Sequence, residues 1–350
     1  MDTAIKVLEN KRMRFAVAGL FIATASGLGV AGMGSASSIS NTFEPLASMG
    51  SPVMIATFAS VCLTTVMEVI SFFIQWIRNR ISGITTGEML RTFRTGKVCA
   101  ICSVAACCGG FLGMGASLVA VALAGNTYGL IIASMSPIVA VITSRIFLKE
   151  NVNARVIFGA LVAIGGCLMT TFVPPSGDQY PHFAVGIVFA LIACFAWGIE
   201  ATIGAYSSDV IDMYPGCNMF RGFVSPVLLL FVITPILSVV CGLGAFGAFK
   251  FMFSLCTNPL LLTAILVGGV FDAIAQLGTY AAFDKTGGAR TVVFVNTSII
   301  WSIILGIVCN ALGLYAYSIS ILGVAGVGVA FIGLALVAAK PSELLDLRNY

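Results

Sequence analysis

Three carboxylates, Glu68, Glu200 and Asp272, lie inside long apolar runs of this 350-residue chain, and no Lys or Arg shares those runs. An ionisable group in hydrocarbon is expensive, so it usually faces a bundle interior or a water-filled path. Acids without basic partners draw positive charge from outside: a proton, a metal ion or a cationic small molecule. After Asp272, Gln276 and Tyr280 follow at i+4 and i+8, which stacks all three on one helix face. At about 1.5 Å per residue, Asp272 falls near the middle of its run. Such a stripe either glues helices together or lines a functional path, and a carboxylate is a costly glue where Ser or Asn would serve. Trp197 and Glu200 are three apart and share a face. A further run offers Asn296, Thr297 and Trp301, the last two one turn apart. Aromatic faces beside negative charge bind organic cations, above all quaternary ammonium groups, which cannot donate hydrogen bonds. An anionic ligand would want Lys or Arg in the same cavity, and the expectation is that there is none. Glu68 reads as a helix contact of the inner leaflet.

Other patterns carry no chemistry. Gly27-x-Gly29-x-x-Gly32 matches the dinucleotide fingerprint in letters but follows no strand and sits in an apolar run. Asn296-Thr297-Ser298 is a glycosylation sequon buried mid-run. The single His182 has no nucleophile at a sensible spacing. The 11 Cys, most of them in apolar segments, read as small buried hydrophobes rather than as disulfides or metal ligands. No catalytic residue, cofactor or metal site is expected, and the absence of a Walker-type loop argues against an ATP-driven pump.

The elements that must position these residues follow from composition. The chain is 59% hydrophobic and 9% charged, with mean hydropathy +1.05, and a soluble domain of this length would need far more charge on its surface. An all-α membrane protein is implied, with the lipid bilayer as its principal partner. Runs of about 20 apolar residues fall at about 15–38, 53–77, 97–123, 127–147, 154–173, 183–206, 221–243, 259–283, 291–310 and 314–338. With both termini in the cytoplasm, 17 of the 18 Lys and Arg lie inside, Arg221 among them as a loop residue, and only Lys250 lies outside. This predicts a multi-pass protein of the cytoplasmic membrane. The cations lie in short loops rather than in a stripe, so no nucleic acid is expected. Pairing with a second copy as a homodimer stays open.

The halves echo each other. Ala25-Ser26-Gly27-Leu28-Gly29 resembles Ala196-Trp197-Gly198-Ile199-Glu200, and Gly109-Gly110 has a partner in Gly268-Gly269. Five runs per half is an odd number, so the second copy must be inverted, a plan that puts a binding site near midplane between repeats. The segments are then 1–14 (cytoplasmic), 15–173 (first five-helix repeat), 174–182 (extracytoplasmic connector), 183–338 (second repeat) and 339–350 (cytoplasmic tail). In this alignment Glu200 matches Gly29 and Asp272 matches Gly113, so a cavity charged on one wall and roomy on the other is expected. Gly159-x-x-x-Ala163 has the spacing of a close helix crossing.

Ser136-Pro137-Ile138-Val139-Ala140, Phe147-Leu148-Lys149-Glu150, Gly159-Ala160 and Gly165-Gly166 resemble the fourth and fifth spans of the drug/metabolite transporter superfamily, EamA type. That resemblance implies ten transmembrane helices as two inverted five-helix repeats. The second half departs from it, with Ser298 and Asn310-Ala311 where Pro137 and Lys149-Glu150 stand in the first. Trp197-Gly198-x-Glu200, Phe271-Asp272-x-Ile274, Tyr280, Asn296-x-Ser298-x-x-Trp301 and Gly113-Met114 look like the bacterial choline transporters of that superfamily. By this resemblance Trp197, Glu200, Tyr280 and Trp301 would form an aromatic and acidic cage, with Asp272 a cavity acid; Gln276 and Asn296 would add polar contacts. The expected function is secondary transport of choline or another quaternary amine by alternating access. Potential-driven uptake would gain about 2.3 kcal/mol per 100 mV. An exporter of amino acids or other zwitterions, proton-coupled or not, and a non-transporting membrane scaffold are the alternatives.

Overall fold

The structure is a computed structural model describing residues 2–49, 53–94, 96–171, 182–317, 320–338 and 340–344. Most of the expected connector 174–182 and the end of the tail lie outside the described residues. No strand occurs among the described residues. In order, the helices are α1 (Asp2–Ser40), α2 (Val53–Ile81), α3 (Thr86–Arg91), α4 (Lys97–Ala106), α5 (Gly115–Ala133), α6 (Ser136–Phe147), α7 (Ala154–Thr171) and α8 (Phe183–Val210). They continue as α9 (Met213–Gly216), α10 (Ser225–Leu228), α11 (Thr234–Val240), α12 (Gly247–Leu255), α13 (Pro259–Val295), α14 (Ser298–Ala311) and α15 (Ile321–Ala338). Three π-helical stretches interrupt this order: Cys107–Met114 joins α4 to α5, Cys217–Val224 joins α9 to α10, and Leu229–Ile233 joins α10 to α11.

Among the described residues seven helical segments are long and apolar enough to cross a membrane: Asn10–Ser40, Val53–Ile81, Lys97–Val121, Phe183–Val210, Met213–Val240, Pro259–Val295 and Ile321–Ala338. The distribution of side chains is that of a protein solvated by lipid. Phe21, Phe147, Phe246, Phe253 and Ile321 point outward, while Glu68, Gln75, Asn79, Arg221, Asp272 and Arg290 are buried. Helices suit this setting because they satisfy every backbone N–H and C=O within the segment.

Two helices hide a change of direction. In α5 a Cβ on Gly129 would stand 2.7 Å from the backbone nitrogen of Val121, although a straight helix would separate these residues by about 12 Å. The chain therefore doubles back inside α5. In α13 the break is at Gly287, whose φ of 74° and ψ of 174° are open only to glycine. Short interruptions then separate α5 from α6, at Ser134 and Met135, and α13 from α14, at Asn296 and Thr297. The two interruptions touch: the Asn296 side-chain amide donates to the Ser134 carbonyl at 3.0 Å.

Small residues set the helix crossings. α1 lies along α13 and α7 along α15 as the most extensive pairings. The expected crossing at Gly159 and Ala163 is present, with a Cβ on Gly159 2.9 Å from the Gly333 carbonyl. Outside the spans, Thr85 and Glu88 form a reciprocal capping box that starts α3. Its hydrogen bonds from Thr85 hold the Glu88 carboxyl below its usual range.

Two sequence boundaries need correction: the tenth run, expected from 314, becomes helical only at Ile321, and the other bears on the buried charges. The seventh run was expected to begin at Arg221 because a charge was taken as a loop edge, but the helical segment runs Met213–Val240. Arg221 is therefore inside the bundle, 7% exposed.

Candidate functional site: a buried acid cluster around Arg221

The π-helical stretch Cys217–Val224 carries Arg221 inward, and such stretches are frequent where a helix must re-aim a side chain at a functional site. Arg221 Nη1 and Nη2 donate to Glu68 Oε1 on α2 at 3.1 and 3.2 Å. Nη1 also donates to Ser225 Oγ at 2.9 Å, and Ser225 in turn donates to Glu68 Oε2 at 2.9 Å. On the other side Arg221 Nε stands 3.3 Å from Glu200 Oε1 on α8. One guanidinium thus bridges two carboxylates from different helices. The desolvation cost of such a group is large and is offset only when its donors are used this fully.

The second π-helical stretch, Cys107–Met114, faces the same place. A Cβ on Gly109 would overlap the Glu200 carboxylate, and one on Gly110 would overlap the Ser225 hydroxyl. The glycine pair noticed in the sequence thus leaves room for the acid and its partner. Trp197, one turn from Glu200, donates its Nε1 to the Gly109 carbonyl at 3.0 Å and lays its ring over Gly113.

Asp272 is held differently. Gln276 Nε2 donates to its Oδ2 at 2.7 Å, and Ser71 stands nearby. Gln75 links these groups by donating to Gln276 Oε1 at 2.9 Å and to Ser71 Oγ at 3.2 Å. The direct partners of Asp272 named here are neutral, with Glu68 and Arg221 within electrostatic reach. Tyr280, about two turns beyond Asp272 on the same face of α13, is 5% exposed and packs edge-on against Phe283. Its hydroxyl is buried without a hydrogen-bond partner among the described residues, and its charged or ionisable neighbours include Glu200, Cys217, Arg221 and Cys102.

Of the residues chosen from sequence, Glu200, Asp272, Gln276, Tyr280 and Trp197 converge on this region. Asn296 serves the Ser134 contact, and Trp301 lies on α14, which packs along α1. Among the described residues no hydrogen bond, ion pair or ring contact ties either to Glu200, Asp272 or Arg221.

Three expectations are overturned here. The acid cluster does contain a basic residue, Arg221, because the helical segment starts eight residues before it. Glu68 is not a peripheral contact: its side chain is fully buried and anchors that arginine. The roomy wall is also absent, since a Cβ on Gly29 would stand 2.6 Å from the Ala275 backbone nitrogen. Gly29 lets α1 cross α13 closely, and the space at Gly113 is taken by Trp197.

A sequence signal for the missed residues exists. Glu68, Ser71, Gln75 and Asn79 recur at i, i+3, i+7 and i+11 on one face of α2, and all four are fully buried. Arg221 and Ser225 stand four apart in a run that is otherwise strongly apolar.

No family model matches the chain, and no curated protein matches it. It is similar to 26 chains of solved structures. One of these, named only as the crystal structure of a protein, has a TM-score of 0.63 at 14% identity, covering 92% of this chain and 98% of that one. At that identity the likeness concerns the fold alone.

Proposed function

We propose that this protein is a secondary carrier of small organic cations, with choline or another quaternary amine foremost. In this reading it is a drug/metabolite-transporter-type protein of the cytoplasmic membrane, with ten spans in two inverted repeats. The observation that carries the reading is the charge of the buried cluster. Glu68, Glu200 and Asp272 against Arg221 leave a formal surplus of two negative charges when all are ionised. Arg221 is committed to Glu68, Glu200 and Ser225, so an anionic cargo would have to break that network to reach it. Of the acids in ion-pair contact with Arg221, Glu200 is the more open, 16% exposed against 0% for Glu68, and Trp197 and Tyr280 stand beside it. The two facing helix interruptions also suit a carrier, in which broken helices line a midplane site and move during alternating access.

A second reading, carriage of a zwitterion such as a neutral amino acid, is favoured by the presence of one guanidinium in the cluster. The two separate in one screen. Purified protein is heated with choline, betaine, carnitine, polyamines and neutral amino acids, beside Asp272→Asn and Glu200→Gln. Stabilisation rises with occupancy. Choline-dependent stabilisation that both variants lose is the expected result. Stabilisation by neutral amino acids alone would replace the cation reading with the zwitterion one. Stabilisation by none of them, with both variants fully functional in cells, points to a membrane scaffold.

A further inference from the structure

A second polar group, away from the acid cluster, gathers the α6–α7 connection, the second limb of α13 and the turn after α15. Helix α6 ends in a left-handed turn at Lys149, φ 53°, which aims Glu150 back at α13. Its carboxylate accepts from the backbone nitrogens of Gly288 at 2.8 Å and Ala289 at 3.1 Å, at the restart of the helix after Gly287. The next residue, Arg290, is 2% exposed and donates through Nη2 to the Asn151 carbonyl at 3.1 Å. Arg155, at the start of α7, places Nη2 2.7 Å from Glu343 Oε2 in the turn Pro341–Leu344. Arg290 Nη2 approaches the same oxygen at 3.7 Å.

Two guanidinium groups from different elements therefore flank one carboxylate oxygen, and the fit is incomplete. Among the described residues the Nη1 atoms of both Arg155 and Arg290 are buried with no hydrogen-bond partner. A carboxylate has two oxygens in one plane, and here one of them is shared by both arginines. Forked guanidinium donors pair best with oxyanions that present several oxygens. A tetrahedral phosphate offers two terminal oxygens as a lipid diester and four as the free anion, splayed out of one plane, so that they can keep the Nη2 contacts and also face the idle Nη1 donors. Arg145, Lys149 and Lys340 on the same segments add positive charge to the surroundings.

We propose that Arg155 and Arg290 form a phosphoryl-binding site in which Glu343 is a displaceable internal occupant. A bound phosphoryl group takes the place of the Glu343 carboxylate and releases the turn after α15 from α7 and α13. The ligand is either the headgroup phosphate of an anionic lipid, since the site lies where spans end, or free phosphate.

The test uses full-length protein in detergent and in nanodiscs. Inorganic phosphate is titrated by calorimetry into wild type, Glu343→Gln and Arg155→Gln; chloride at matched ionic strength is the control. In parallel, native mass spectrometry scores retention of phosphatidylglycerol against phosphatidylcholine. Removing the internal competitor should tighten phosphate or phosphatidylglycerol binding about tenfold or more, and Arg155→Gln should abolish it. Arg155 is part-exposed, so its replacement by Gln should leave the fold intact, and an unchanged melting temperature with chloride verifies this. Saturable phosphate binding identifies the free anion as ligand, and selective phosphatidylglycerol retention identifies the lipid. Neither in wild type nor in Glu343→Gln, or binding that Arg155→Gln leaves unaltered, overturns the proposal.

Discussion

Replacing Arg221 by Met tests how the buried cluster is held. The guanidinium contacts Glu68 through two nitrogens, Ser225 through one and Glu200 through Nε. Summing such bonds at face value overstates their worth, because burying the ion costs several kcal/mol first. The relevant quantity is what remains when one partner goes. Arg221→Met strands the Glu68 carboxylate, whose side chain is fully buried, and breaking a buried pair in this way costs about 3–5 kcal/mol. At about 2 °C per kcal/mol for a chain of this size, the melting temperature should fall by roughly 6–10 °C. Glu68→Gln combined with Arg221→Met removes both charges and keeps a side-chain amide beside Ser225. A neutral replacement of a buried pair is often isoenergetic, and Glu200, which also loses its Arg221 contact, is 16% exposed rather than fully buried, so the double variant should recover to within about 1–2 kcal/mol of wild type. Thermal unfolding of all four proteins of the cycle, in one detergent at pH 7, gives the coupling directly. A single variant as stable as wild type, or a double variant worse than Arg221→Met, would refute the argument that Arg221 serves to neutralise Glu68.

Two further substitutions bear on the backbone around these groups. Gly109→Ala places a methyl group on the Glu200 carboxylate and should abolish cation-dependent thermal stabilisation, whereas Gly34→Ala, which meets nothing within 4 Å, should leave it unchanged. Gly287→Ala forces a side chain into a conformation open only to glycine and sets its Cβ 2.6 Å from Glu150 Oε1; a loss of about 1–3 kcal/mol is expected in denaturant unfolding, and unaltered stability would show that the break in α13 relaxes freely.

Much of the architecture was legible because lipid enforces it. A chain with so little charge must form apolar helices, and hydropathy alone locates segments such as Val53–Ile81 and Phe183–Val210 to within a few residues. Asp272, Gln276 and Glu200 were legible for the same reason: a polar group in an apolar run is costly enough to demand an explanation.

What hydropathy along the chain could not supply was pairing across it. Glu68 and Arg221 are 153 positions apart; taken alone, Glu68 looks like an inner-leaflet helix contact and Arg221 like the charged edge of a span. A charge that ends a span and a charge buried within one read the same until another helix brings its partner, since only the tertiary fold decides whether desolvation is offset. The glycines teach the same lesson in reverse. Gly29 and Gly113 suggested open space, but a missing side chain is as often the condition for a neighbour to approach, and which neighbour comes is again decided in three dimensions. The sequence by itself therefore determined that buried acids exist and that helices carry them. The tertiary structure alone decided that one arginine joins Glu68 to Glu200 and that Asp272 is held by the neutral Gln276 amide.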